Sequence, residues 1–198
     1  MGYRSLGGAV TTHKTLPDLL GEFRIYPVEI AFPRRSGVTL WGGNVDGDMD
    51  FFLTGKSGKV LLAHSLTELE QRVPTEGEGS LSQVAGFRTI ASALSTGEKL
   101  TEDDDTIDRI DYKSAAAVLA REGDLAAETV GEIVTCLDAA RDLALQTGDS
   151  DVLGRLQNID APLGNLYRFL CGEADNVDRN PAAAAFDEMV DWFLTHVE

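Results

Sequence analysis

The densest concentration of groups able to do chemistry is the stretch LTEDDDTIDRIDY, residues 100 to 112, in which Asp104, Asp105 and Asp108 spell Asp-Asp-x-x-Asp. Carboxylates at i and i+4 on a helix share a face, and Mg²⁺ takes one or two of them together with phosphate oxygens. On that chemistry the three aspartates are candidate metal ligands of a divalent-metal-dependent hydrolase or transferase. Prenyl-diphosphate synthases and terpene cyclases use this spacing, but they are larger all-helical bundles with a second metal motif, and no second motif occurs here. Three other readings fit the segment: Thr101 caps a helix whose acidic first turn suits the macrodipole, the segment is a solvated linker, or Asp103, Asp104, Asp105, Asp108 and Asp111 meet a basic protein partner.

A second tempting stretch is VDGDMDFFLTGKSGKVLL, residues 45 to 62. Gly55-Lys56-Ser57 has the end of a phosphate loop, yet Asp50 stands where the first glycine belongs, and GKVLLAH after it reads as a strand. A phosphate loop needs a helix N-terminus at that point. Ser57 fails as an esterase nucleophile because Lys59 replaces the required glycine. Asp46, Asp48 and Asp50 start like a calcium loop, but its sixth and twelfth positions would be Phe51 and Ser57. Asp46-Gly47 and Lys56-Ser57-Gly58 read instead as hairpin turns, with Asp48 and Asp50 on the solvent side of a strand.

The remaining candidates are sparse. His13, His64 and His196 show no metal spacing. Cys136 and Cys171, flanked by apolar residues, read as buried reduced thiols rather than a disulfide or zinc site. Trp41, just before Gly42-Gly43, is either a core residue over a sheet or an anchor for a partner. Arg34 and Arg35 are too few to bind nucleic acid. No cofactor is implied.

The elements that must position these groups follow from periodicity. FRIYPVEIAF (23–32), VTLWGG (38–43), MDFFLTG (49–55) and KVLLAH (59–64) read as four short strands with tight links, an antiparallel meander with one wet face, and Pro27 places the first at an edge or bulge. Two helices follow in the first half, SLTELEQRV with a Ser65/Glu68 capping box and LSQVAGFRTIASAL. Beyond residue 100 the patterns are helical: YKSAAAVLAREG, the long LAAETVGEIVTCLDAARDLALQTG ended by Gly148, DVLGRLQNI, PLGNLYRFLCG, and a helix from Asn180 and Pro181. The fold class is therefore α+β: residues 1–99 mixed with a β-meander and two helices, and residues 100–198 an acidic all-helical part packed on it as one compact unit.

The chain of 198 residues carries a net charge of -16. Residues 1–99 hold ten Lys/Arg against eleven Asp/Glu, whereas residues 100–198 hold seven against twenty-two. That asymmetry repels nucleic acid and anionic membranes and attracts basic proteins. No apolar run approaches a membrane span and no leader-like segment opens the chain, which places the protein in the cytoplasm. The leading expectation is a non-enzymatic protein acting by protein contact, of a regulatory, adaptor or toxin-neutralising type, its acidic half steering a basic partner. The metal-dependent enzyme is the alternative, and a small-ligand module between sheet and helices is the third.

Overall fold

The computed structural model describes residues 14–43, 49–101, 107–121 and 125–198. Helix α1 (Leu16–Phe23) is set by a full capping box: the Thr15 hydroxyl accepts from Asp18 N–H, and the Asp18 carboxylate accepts from Thr15 N–H at 3.0 Å. Arg24 ends it in the left-handed region, φ 51, and turns the chain into β1 (Ile25–Ala31). β2 (Ser36–Gly42) returns antiparallel, from Ala31↔Ser36 to Ile25↔Gly42. Gly42 is required there: at φ +129 a Cβ would lie 1.9 Å from the Arg24 carbonyl oxygen. β3 is short, Phe51–Phe52 rather than 49–55, and pairs with β2. The expected Asp46-Gly47 turn lies outside the described residues.

The fourth strand is not 59–64. There, successive residues bridge different segments: Thr54↔Val60, Val60↔Val197 and Val38↔Ala63. No single ladder can form when neighbours have different partners. The Lys56-Ser57-Gly58 turn does form, closed by Gly55 N–H to the Lys59 carbonyl at 2.8 Å. The fourth strand is instead β4 (Asp108–Asp111), inside the part expected to be all-helical. It runs parallel to β1 from Val28↔Asp108 to Ala31↔Asp111, giving the order β3-β2-β1-β4. The sheet is mixed, not an antiparallel meander, and β1 is interior. Pro27 fits there because the parallel ladder begins one residue later, so its missing N–H costs no bond.

Helices α2 (Leu66–Glu76), α3 (Gly79–Ser82) and α4 (Phe87–Ser95) follow β3, so the first half contributes four helices rather than two. The expected single helix over 81–94 is split at Gly86, φ 91, where a Cβ would meet the Phe23 ring at 2.1 Å. α5 (Tyr112–Leu119), α6 (Ala127–Thr147), α7 (Ser150–Gln157), α8 (Pro162–Leu170) and α9 (Arg179–Thr195) complete the described helices. Asp178, not Asn180, caps α9, accepting from Asn180 N–H at 3.2 Å.

Alternation along the strands sorts their side chains onto two covered faces, so the expected wet face is absent. Val28, Ile30, Phe32, Phe52, Leu62 and Ile110 pack with α5, α6, α8 and α9, where Phe32 stacks on Tyr112 at 5.3 Å and Phe52 meets Phe193 edge-on at 5.5 Å. Ile25, Val38, Leu40, Leu53 and Leu61 pack with α1 to α4 through Leu16, Leu20, Leu69, Leu81 and Ile90. Each such side chain stabilises the fold by roughly 1.5–3 kcal/mol on burial.

Helix α6 contacts β3 and β4, the two opposite edges of the sheet. Its Gln146 amide treats β3 as a neighbouring strand would: Oε1 accepts from Phe52 N–H at 2.8 Å and Nε2 donates to the Phe52 carbonyl at 2.9 Å. One turn earlier Asp142, 6% exposed, accepts from Asp50 N–H. Ten residues before Gln146, the Cys136 carbonyl accepts from the fully buried Tyr112 hydroxyl at 2.9 Å, beside β4. Ten helical residues rise about 15 Å. Three strand spacings measure about 14–15 Å.

Replacing Gln146 with Ala leaves two backbone groups of Phe52 without their partner, and urea unfolding is expected to show a loss of about 1–3 kcal/mol. Burial, with the nearby Asp50 and Asp138 charges, pushes the Asp142 carboxyl up to about 7 against the pull of its Asp50 bond and Arg141. The folded chain therefore holds a proton that the unfolded chain has released between the ordinary aspartate range and about pH 7, so stability falls as pH rises through that window. Asp142→Asn is expected to flatten this slope and to exceed the parent in stability at pH ~8 by on the order of 2 kcal/mol, the difference vanishing towards pH ~4 in pH-dependent denaturation.

Candidate functional site

The acidic candidates do not converge as one patch among the described residues. Asp103, Asp104 and Asp105 lie outside the described residues. Asp108 opens β4 and is exposed. It stands on a strand, so the helical i, i+4 geometry of a metal-binding Asp-Asp-x-x-Asp is not met at its last carboxylate. Asp111 is committed to structure: its carboxylate caps α5, accepting from Ser114 N–H at 2.8 Å and the Ser114 hydroxyl at 3.0 Å, and pairs with Arg109 at 3.2 Å. Trp41 is half-buried, stacked on Phe52 at 5.9 Å, and belongs to the packing of the sheet. Among the described residues no group of three His, Cys, Asp or Glu is placed to hold a metal ion.

The other motifs resolve into local structure. Ser57 donates to the Glu198 carboxylate across the hairpin tip, and no helix begins there. His64 gives its backbone N–H to Glu68 at 2.9 Å, and His196 packs against Trp192 at 4.8 Å. Cys136 is buried as expected, but Cys171 is exposed, because it stands at the C-cap of α8.

What the sequence did not disclose is a cleft of about 440 Å³ that Asp108 shares with residues far from it in the chain. α1 supplies Pro17, Asp18 and Leu20, β1 supplies Tyr26 and Pro27, and Leu100 and Ile107 complete an apolar floor. Tyr26 is 45% exposed, since β4 begins opposite Val28 and leaves it outside the ladder. Among the described residues, the charged groups lining the cleft are both carboxylates, Asp18 and Asp108. The Thr15 backbone and hydroxyl bonds hold the Asp18 carboxyl below its usual range, so it is ionised at neutral pH. Lys14, the nearby cation, is engaged by Glu22 at 2.6 Å. The arrangement offers an aromatic ring and two negative charges around an apolar floor, a setting for a cationic side chain. The one signal in the sequence, an exposed tyrosine on the face that also bears Val28 and Ile30, has no meaning until the extent of β4 is known.

The architecture defines an α+β protein with a mixed sheet covered by helices on both faces. The family model of the SatS C-terminal domain matches residues 25–196, and the chain belongs to that family. The crystal structure of the SatS C-terminal domain in complex with bromine is similar in fold, with a TM-score of 0.65 and 16% identity over 91% of this chain and 96% of that one. No curated protein sequence matches the chain. No described helix is long and apolar enough to cross a membrane.

Asp111→Ala is expected to cost about 1 kcal/mol of stability through the lost cap. Thermal unfolding checks the loss, and affinity for a basic peptide should stay unchanged because this carboxylate does not line the cleft.

Proposed function

We propose that the protein acts in the cytoplasm by contact with another protein, as a regulatory, adaptor or toxin-neutralising module without chemistry of its own, and that its partner presents a basic segment. The cleft between α1, β1 and β4 carries this reading: among the described residues its charged lining is Asp18 and Asp108, and its exposed aromatic is Tyr26. An arginine or lysine entering it gains Asp18 and Asp108 as counter-charges and the Tyr26 ring as a cation–π surface, while its alkyl stem covers Pro17, Leu20 and Ile107. The net charge of -16 supports the same reading at long range, since it accelerates encounter with a cationic partner.

Fluorescence anisotropy with a labelled hexa-arginine peptide tests the proposal. Binding should weaken about three- to tenfold for Tyr26→Ala and again for Asp108→Asn, and should fall steeply as salt is raised from ~50 to ~500 mM. Affinity that ignores both substitutions, or an equal affinity for hexaglutamate, would overturn it.

A further inference from the structure

This strongly acidic chain carries a compact group of cations at the far end of β1. They differ from the arginines of a second cavity, of about 450 Å³ between α6, α7 and α8, which are already engaged: Arg168 meets Glu173 at 3.6 Å and Arg141 has a partner of its own. In the turn after β1, Pro33, Arg34 and Arg35 are exposed, and Phe32 N–H closes the turn on the Arg35 carbonyl at 2.8 Å. Arg34-Arg35 is the one adjacent basic pair in the sequence. The turn at Lys56-Ser57-Gly58 stands beside it, since both reach Glu198: the Arg35 guanidinium donates to its main-chain oxygen at 3.2 Å and the Ser57 hydroxyl to its carboxylate. Lys56 and Lys59 are exposed on that second turn. Among the described residues, Arg34, Lys56 and Lys59 have no side-chain hydrogen bond or ion pair.

β1 joins this basic end to the acidic cleft. Tyr26 and Pro27 line the cleft near the start of the strand, and Arg34 lies beyond its last residue, Ala31. The strand from Tyr26 to Ala31 spans about 17 Å, so the turn cannot fold into the cleft of its own chain. A second copy can supply it. An arginine at the apex of a tight, protruding turn matches a hollow lined by Asp18, Asp108 and the Tyr26 ring, where guanidinium finds two counter-charges and an aromatic face. Pro33 beside it offers an apolar surface to Leu100 and Ile107 of the cleft floor. The two copies use different surfaces, so each keeps one free turn and one free cleft, and the association is head-to-tail. The net charge of -16 opposes the approach of copies, which confines the contact to high local concentration.

We propose that the acidic cleft is regulated by its own chain: Arg34 of one copy occupies the cleft of the next, and a basic partner gains the site by displacing it. The inference rests on the cleft being a site for basic groups. Sedimentation velocity of the full chain tests it. The wild type should sediment faster as concentration rises from ~10 to ~500 μM, as a dissociation constant on the order of 100 μM requires, and excess hexa-arginine should return it to monomer. Arg34→Glu and Asp108→Lys should each stay monomeric over this range, a loss of about tenfold or more in association. Their equimolar mixture should form a dimer, because the first variant keeps the cleft and the second keeps the turn. Tyr26→Ala gives a second cleft variant should Asp108→Lys lower the thermal midpoint. Arg88→Glu, with the same charge change at an exposed position of α4 outside the cleft lining, should associate as the wild type does. A wild type that binds hexa-arginine yet stays monomeric at ~500 μM would overturn this inference and leave the cleft reading standing. No binding of hexa-arginine would overturn that reading and the inference with it. Undiminished association in Arg34→Glu, assembly that persists in excess hexa-arginine, or no dimer in the mixture of folded variants would also sink the inference.

Discussion

The structure depends on one helix that spans the width of the sheet. α6 reaches both sheet edges, and it supplies the hydrogen-bonding groups that a fifth strand would otherwise provide. A two-residue edge strand such as β3 has little ladder of its own, and the Gln146 amide, bonded to both backbone groups of Phe52, holds it in register with Trp41. At the other edge, β4 leads directly into α5, whose first residue, Tyr112, anchors on the Cys136 carbonyl of α6. An unpaired edge invites other chains, and side-chain pairing from a packed helix removes that hazard at β3 without adding a strand. The cost is visible at Asp142, a carboxylate buried on α6 whose ordinary acidity is lost.

From that arrangement the two clefts follow. The parallel β4 extends the sheet only from Val28 onward, so the start of β1 and the cap of α1 are left to form an acidic hollow beside it. On the far side, Gly164 lets α8 approach the Asn158 carbonyl at the end of α7, and Leu145 and Ile159 stand at an open lip beside it. The charged residues described in the lining of the first are Asp18 and Asp108, and those in the lining of the second are Arg141, Arg168 and Glu173.

Much of the local structure was legible in the residues. The strands read over 23–32 and 38–43, found at Ile25–Ala31 and Ser36–Gly42, the turn at Lys56-Ser57-Gly58, and α5, α6, α7, α8 and α9 follow from alternation, caps and glycine stops. β4 was not legible, because Asp-Arg-Ile-Asp has one apolar residue and sits in an acidic run that reads as linker or helix cap. Its stability comes from pairing with β1, some eighty positions earlier, and no local signal records such a partner. The segment 59–64 erred in the opposite direction: its residues have strand character, but the fold divides them among Thr54, Val197 and Val38. Of the candidate site residues, Asp108 alone reached a cleft among those described, while Asp111 and Trp41 were drawn into a helix cap and a ring stack.

The sequence by itself determined the α+β class, the helices of the second half and the concentration of negative charge there, because these depend on residue type and short spacing. Only the tertiary structure decided that the sheet is mixed, that both its faces are covered, and that Tyr26 and Asp18 stand beside Asp108 while Arg141 and Arg168 share a cavity. Those are relations between distant positions, and their energy comes from packing and from hydrogen bonds that exist once the chain has closed on itself.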